Sequence, residues 1–208
     1  MAFLRAAVPE DYLDAVPGRN VVLRPPSMSD YAAWAELRAL SRSHLTPWEP
    51  LWAANDLSRS MYRRRLRAYA KDVRDDLAYS FFITERASDR LLGGITLSHV
   101  RRGSAQAASL GYWIGAPHAR RGHMLDAVTT LLPYAFSTLR FHRIEAASMP
   151  GNAASMRVLE RAGFEREGLA NAYLKINGRW EDHVLFARIA PGPAAAIDAD
   201  RQPGSGWR

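Results

Sequence analysis

Seven strand-like runs separated by four helical patterns predict a single α/β domain, its mixed, mostly antiparallel sheet flanked by helices. Two local signals show how parts of it connect. Residues 164–176 and 179–189 bracket Asn177-Gly178, a dipeptide suited to the positive φ values of a two-residue hairpin turn. Residues 111–128, GYWIGAPHARRGHMLDAV, pass from strand-favouring Tyr112, Trp113 and Ile114 through a Gly-Ala-Pro break and a basic turn. Apolar residues then recur at Met124, Leu125, Val128, Leu131, Leu132, Ala135, Phe136 and Leu139, the spacing of one helix face.

Residues 1–20 hold Pro9, Pro17 and Gly18 with little periodicity and are expected to form an extension with at most a short helix. The domain proper is expected over 21–190. It opens on a strand at 21–24, ended by Pro25 and Pro26, followed by a helix that Ser27 or Ser29 can cap and that buries Tyr31, Trp34, Leu37 and Leu40. From 41 to 56 the pattern fails, leaving a long connection with Pro47, Trp48, Pro50 and Trp52; such loops in compact domains are often functional. Its tryptophans either anchor on the core or line a substrate mouth. Residues 57–74 read as a helix with Met61, Leu66, Tyr69, Ala70 and Val73 inward. Its outward Arg63, Arg64, Arg67 and Lys71 form either a solvated face or a contact for RNA phosphates.

Strands at 78–85 and 91–99 form a hairpin, and Gly93-Gly94 in the second marks a bulge or a close backbone approach. The helix after Gly122 is predicted to kink at Pro133, whose ring and missing N–H would cost about 3 kcal/mol in a straight helix. A strand at 143–149, the Pro150-Gly151 turn and a helix at 152–162 closed by Gly163 lead to the last hairpin. Residues 191–208, dominated by proline, glycine and alanine, are expected to be a disordered tail.

Composition narrows the chemistry. The 208 residues suffice for one sizeable core, and the absence of cysteine excludes disulfides and cysteine-ligated zinc. No histidine-carboxylate spacing suggests a metal site. Apolar runs are short, and residues 1–20 lack a signal-peptide pattern, so a cytoplasmic protein without a membrane partner is expected. A net charge of +7 and a pI near 10.1 favour RNA, ribosomes or a phosphate-rich cofactor, or merely keep the protein soluble.

The first N–H groups of the helix after Gly122 lack partners and carry the positive end of its dipole, which suits a phosphate. Gly122 leaves room for an anion to approach the main chain, and Arg120 and Arg121 add charge, although the same residues fit a plain solvated turn. A second stretch, MPGNAASMRVLERAGF at 149–164, sets Asn152 and Ser155 three apart on one face of a helix start. Together the two stretches resemble the GNAT acetyltransferases, more closely their ribosomal-protein N-acetyltransferase branch (RimJ/RimL type). LTPWEP at 45–50 and INGRWEDHVLFAR at 176–188 resemble segments of the same branch, and the likeness spans 21–189.

The resemblance implies a GNAT fold, its sheet splayed at the central strand, that moves the acetyl group of acetyl-CoA to an amine without a metal. The acceptor it implies is the N-terminal α-amino group of a protein, a ribosomal one in this branch. The alternatives are a small amine such as an aminoglycoside or polyamine, and a ribosome- or RNA-binding factor with little catalysis. A monomer or homodimer is expected. An α-amino group, with a pKa of about 7.7–8.0, is partly neutral at neutral pH, so positioning can supply much of the rate.

By the same resemblance, Arg120, Arg121, Gly122, His123 and Met124 hold the pyrophosphate, an N–H near Trp113 or Ile114 relieves the oxyanion, and the Asn152 helix flanks the pantetheine arm. Asn152 is equally a natural helix cap. Ser155, beside the coenzyme sulfur, is the candidate general acid. Two positions depart from the family pattern. Leu159 stands where many relatives carry a tyrosine acid, and Ala147 where many carry a glutamate base. Glu145, one pleat from Ala147 on the same strand face, is the candidate base, with Glu49, Asp182 and His183 as outer candidates. Trp48, Glu49 and Asp182 are expected on the acceptor side.

Overall fold

The computed structural model describes residues 13–192. Most of the expected extension and nearly all of the expected tail lie outside the described residues. One sheet runs through the molecule, built from β1 (Val16–Pro17), β2 (Val21–Arg24), β3 (Tyr79–Glu85), β4 (Leu91–Arg101), β5 (Ala107–Ile114), β6 (Arg143–Ser148), β7 (Glu165–Ile176) and β8 (Arg179–Ile189). Their order is β1-β2-β3-β4-β5-β6-β8-β7. Every pairing is antiparallel except that of β5 with β6. The seven expected strands are thus joined by an eighth, the two-residue β1, which pairs with β2.

Strand alternation divides the apolar residues between two layers. On one face α4 (His123–Pro133) and α5 (Ala153–Arg161) bury Met124, Val128, Leu131 and Leu159 against Phe81, Ile83, Ile95, Leu110 and Ile144. On the other, α1 (Tyr31–Leu40) and α3 (Arg59–Arg74) bury Trp34, Leu37, Tyr62 and Leu66 against Phe82 and Leu91. Leu40, expected inside, is exposed at the end of α1. Ser58 starts α3, its hydroxyl accepting from Met61 N–H at 3.3 Å. The connection at 41–56 is not wholly irregular, since it contains α2 (Arg42–Leu45) and a 3₁₀ turn, Thr46–Trp48. The break expected at Pro133 takes the form of a π-helical turn, Tyr134–Thr138, in which Leu139 N–H reaches back five residues to the Tyr134 carbonyl at 3.0 Å. The apolar stripe stays in phase through it, with Ala135 buried.

The last hairpin turns at Asn177 and Gly178, with φ 44° and 85°. β7 is an outer strand of the sheet, and its ladder to β8 is interrupted twice, between Arg166 and Gly168 and between Ala170 and Leu174. Ala172, inside the second interruption, has φ 46°.

Gly93 and Gly94 answer to both expectations, since the β3–β4 register shifts beside Gly93 and the backbone of β5 lies close. A Cβ on Gly93 would stand 2.2 Å from the Trp113 carbonyl oxygen, and one on Gly94 would stand 2.5 Å from Trp113 Nε1. Gly111, by contrast, has nothing within 4 Å of such a Cβ. Gly93→Ala should therefore destabilise the fold by about 1–3 kcal/mol, because backbone must move, while Gly111→Ala stays within about 0.5 kcal/mol of the parent. Paired thermal and urea unfolding curves check the contrast, and equal stabilities would refute the close approach.

Candidate active site

The parallel ladder between β5 and β6 lasts four residues, from Ala107 opposite Arg143 to Leu110 opposite Ala146. Beyond it β5 keeps only β4 as partner and β6 only β8. A gap opens there in the middle of the sheet. The Gly115 N–H donates to Leu92 O, on the β4 side, and the Gln106 carbonyl accepts from the β6 side, so alternation turns Tyr112 and Ile114 N–H and C=O toward the gap and those of Trp113 toward β4. Of Trp113 and Ile114, Ile114 thus turns its N–H toward the gap and Trp113 turns its own toward β4. Trp113 contributes a side chain on the α1/α3 face instead.

At the end of β5 a short 3₁₀ turn, Ala116–His118, leads into the basic turn. Arg120 has φ 62° and Gly122 φ 82°, and Gly122 is the N-cap of α4 without a side chain to cap it. The first helical hydrogen bond is Asp126 N–H to Gly122 O, so the N–H groups of His123, Met124 and Leu125 precede the helical ladder. Nothing lies within 4 Å of a Cβ built on Gly122. Arg120 and Arg121 are exposed and form no ion pair among the described residues. The His118 imidazole is held below its ordinary pKa by burial and by the charges of Arg90, Arg121 and His123, which marks the corner as electropositive. A cleft of about 460 Å³ borders it, with Arg19, Arg86, Arg121 and His123 among its walls.

The far side of the gap is the start of α5. Asn152 caps it, its Oδ1 accepting from Ser155 N–H at 3.0 Å. Ser155 Oγ lies 2.9 Å from Tyr112 Oη, so strand and helix meet across the gap through two hydroxyls. Ser148 Oγ, at the end of β6, is buried with no hydrogen-bond partner among the described residues. Continuing the β5–β6 register would set Ser148 opposite Tyr112 on the same face. An orphan hydroxyl beside a break in a sheet fits a polar chain lying in that break.

A corner prepared for phosphates, a slot and a hydroxyl at its inner end fit the parts of an acyl-coenzyme A. The profile of the acetyltransferase (GNAT) domain matches residues 20–165. The chain belongs to the GNAT acetyltransferases. It is an acetyl-CoA-dependent N-acetyltransferase. It is 37% identical to the probable N-acetyltransferase YjcK of Bacillus subtilis over 84% of this chain and 96% of that protein. It is likewise 37% identical to the [ribosomal protein uS5]-alanine N-acetyltransferase of Escherichia coli over 78% of this chain and 84% of that one. Among solved structures, Mycobacterium smegmatis RimJ in complex with CoA-disulfide superposes with a TM-score of 0.81 at 31% identity, covering 88% of this chain and 90% of that one.

In this GNAT enzyme several expected polar residues have other work. Glu145 lies in the paired part of β6 and is held by Arg101 and by Arg143 Nε at 2.9 Å, with Arg143 also gripping Glu167. These bonds make it a strut between strands, on the part of β6 that precedes the gap. Asp182 accepts from Ala172 N–H at 2.7 Å and stabilises the irregular part of the last hairpin. His183 is buried, its Nδ1 2.9 Å from the Glu181 carbonyl and its ring against Tyr173.

Glu49 is also structural. Both of its oxygens are taken by Arg38 at 2.7 Å, and Trp52 Nε1 adds a bond at 2.8 Å. Arg38, 8% exposed, lies over the rings of Trp52 at 4.1 Å and Trp113 at 4.9 Å. The Glu49 carbonyl accepts from Asn177 N–H at the tip of the last hairpin. This clasp fastens the 46–52 segment between α1, the central strand and the hairpin. Trp48 remains partly exposed, its ring 4.0 Å from a Cβ built on Gly151 and so next to the Asn152 cap. The clasp pairs residues that no local pattern connects; the LTPWEP segment was the available signal.

Removing Glu49 would leave the Arg38 guanidinium buried and uncompensated. Glu49→Ala should cost about 3 kcal/mol of stability. Denaturant titration checks this, and a loss below about 1 kcal/mol would show the pair to be a surface contact in energetic terms.

Proposed function

We propose that this N-acetyltransferase acetylates the N-terminal α-amino group of a protein, most closely a ribosomal protein, in the cytoplasm. The observation that carries the reading is the gap after Leu110 and Ala146, with an anion-ready helix start on one lip and Ser155 on the other. Support for the acceptor comes from the name of the E. coli relative, a ribosomal-protein alanine N-acetyltransferase. The partly exposed Trp48 and the clasped segment behind it supply an apolar wall on the acceptor side.

In this reading the N–H groups opening α4, from His123 and Met124, hold the pyrophosphate, with Gly122 leaving the approach open and Arg120 and Arg121 adding charge. Asn152 fixes the start of α5. Acetyl-CoA supplies an activated acyl carbon. The Ile114 N–H donates to the oxygen that gains charge as the amine adds, at no cost in reorganisation. Ser155 gives its proton to the sulfur as it leaves. With Glu145, Glu49 and Asp182 engaged elsewhere, the acceptor enters as the neutral amine or loses its proton to water, which a group of pKa about 7.7–8.0 permits near neutral pH.

Thiol release from acetyl-CoA, measured with peptides bearing the N-termini of ribosomal proteins, with polyamines and with aminoglycosides, tests the acceptor. Turnover with the peptides is expected, and turnover confined to the small amines would overturn this reading. Ribosome pelleting with no turnover on any acceptor would do so as well. Ser155→Ala should lower kcat on the order of 100-fold with coenzyme affinity nearly unchanged. Gly122→Val should instead weaken CoA binding by about tenfold, because it both strains a left-handed position and fills the approach. Calorimetry with CoA separates the two effects, and unaltered affinity in Gly122→Val would refute the pyrophosphate assignment.

A further inference from the structure

We propose that Tyr112 is a positioning residue for Ser155: its phenol donates to Ser155 Oγ and thereby points the serine proton into the gap, toward the leaving sulfur. The inference rests on the reading of Ser155 as the acid. Tyr112 Oη lies 2.9 Å from Ser155 Oγ and 3.3 Å from the Ser155 carbonyl oxygen. Two hydroxyls at the shorter distance share one proton between them, and its owner decides where the other proton goes. A phenol is the stronger acid of the two and so the better donor. The serine carbonyl already accepts within α5, which leaves Oγ as the acceptor with the most to gain.

Tyr112 cannot easily give up its proton. Burial pushes its pKa up to about 12, only partly opposed by Ser155, and no charged group acts on it among the described residues. It therefore stays a neutral donor at any working pH and orients without ionising. Its ring packs against the apolar core on that face, to which Met156 and Leu159 of α5 also belong. Leu159 supplies no hydroxyl from the helix, so the phenol at this corner comes from the central strand.

The proton balance closes without Tyr112 ionising. As the C–S bond breaks its electron pair goes to sulfur, which takes the Ser155 proton. The Ser155 oxygen is reprotonated from the acceptor nitrogen, directly or through water, since that nitrogen must lose one proton to become an amide. Tyr112 stabilises the serine oxygen throughout by its hydrogen bond.

A readout that needs no acceptor follows. In the CoA complex the same pair of hydroxyls faces the free thiol, and a donor aimed at sulfur favours the thiolate. The ultraviolet absorbance of the thiolate, followed against pH in complexes of the full-length protein with CoA, gives the pKa of the bound thiol. Tyr112→Phe is expected to raise it by about one pH unit, Ser155→Ala by at least as much, and the double variant no further than Ser155→Ala. CoA affinity, measured by calorimetry on each variant, is expected to change less than about threefold, which also shows that each is folded. A shift in Ser155→Ala but none in Tyr112→Phe would overturn the role of Tyr112 and leave Ser155 standing. Shifts that add in the double variant would show that Tyr112 acts independently of Ser155. No shift in Ser155→Ala would sink the acid assignment, and this inference with it. Loss of CoA binding in Tyr112→Phe would make the tyrosine a wall of the slot and refute the proposal.

Discussion

The short reach of the parallel ladder between β5 and β6 is the constraint on which the rest depends. Parallel strands can separate where their following helices pull them to different places, and here both helices start at the same end of the sheet. β5 is kept tight against β4 because Gly93 and Gly94 have no side chains to hold it off. β6 is kept against β8 through Ser148 and Val184. Each strand thus has one firm neighbour, and the space left between them is lined by main-chain groups of Tyr112 and Ile114 that a polar ligand can satisfy.

From that constraint the chemistry divides by face. The α4/α5 face receives Tyr112, Ser148 and Ser155, all neutral hydroxyls, of which Ser148 is buried. The α1/α3 face receives Trp113, Trp52 and Arg38, the guanidinium lying over both rings and held by its ion pair with Glu49. The exposed cations Arg120 and Arg121, unpaired among the described residues, lie instead at the outer corner, open to solvent.

What was legible in the sequence was what is local. The Asn177-Gly178 turn, the Asn152 cap and the Gly122 turn each depend on residues a few positions apart. The π turn at Tyr134–Thr138 was foreseeable only as a disturbance, since Pro133 announces a missing donor but not how the helix absorbs it. The polar pairings were not legible. Arg38 finds Glu49 across a helix end and a loop, Arg101 finds Glu145 across two strands, and Tyr112 finds Ser155 across the gap, 43 residues away. Glu145, on the same face as Ala147 but one pleat away, reads as a candidate base because its two arginine partners are invisible to spacing. Which of Trp113 and Ile114 turns its N–H to the gap was likewise hidden, because parity along β5 is set by which neighbour each N–H already serves.

The two interruptions along β7 carry a consequence for the molecule as a solute. A twelve-residue outer strand with an unbroken ladder would offer a template on which another chain could grow a strand. Here the ladder breaks at Gly168 and again around the left-handed Ala172, with Asp182 taking the amide that the second break frees. The rim is thereby bent into short pieces, and the protein carries little straight edge there on which aggregates could seed.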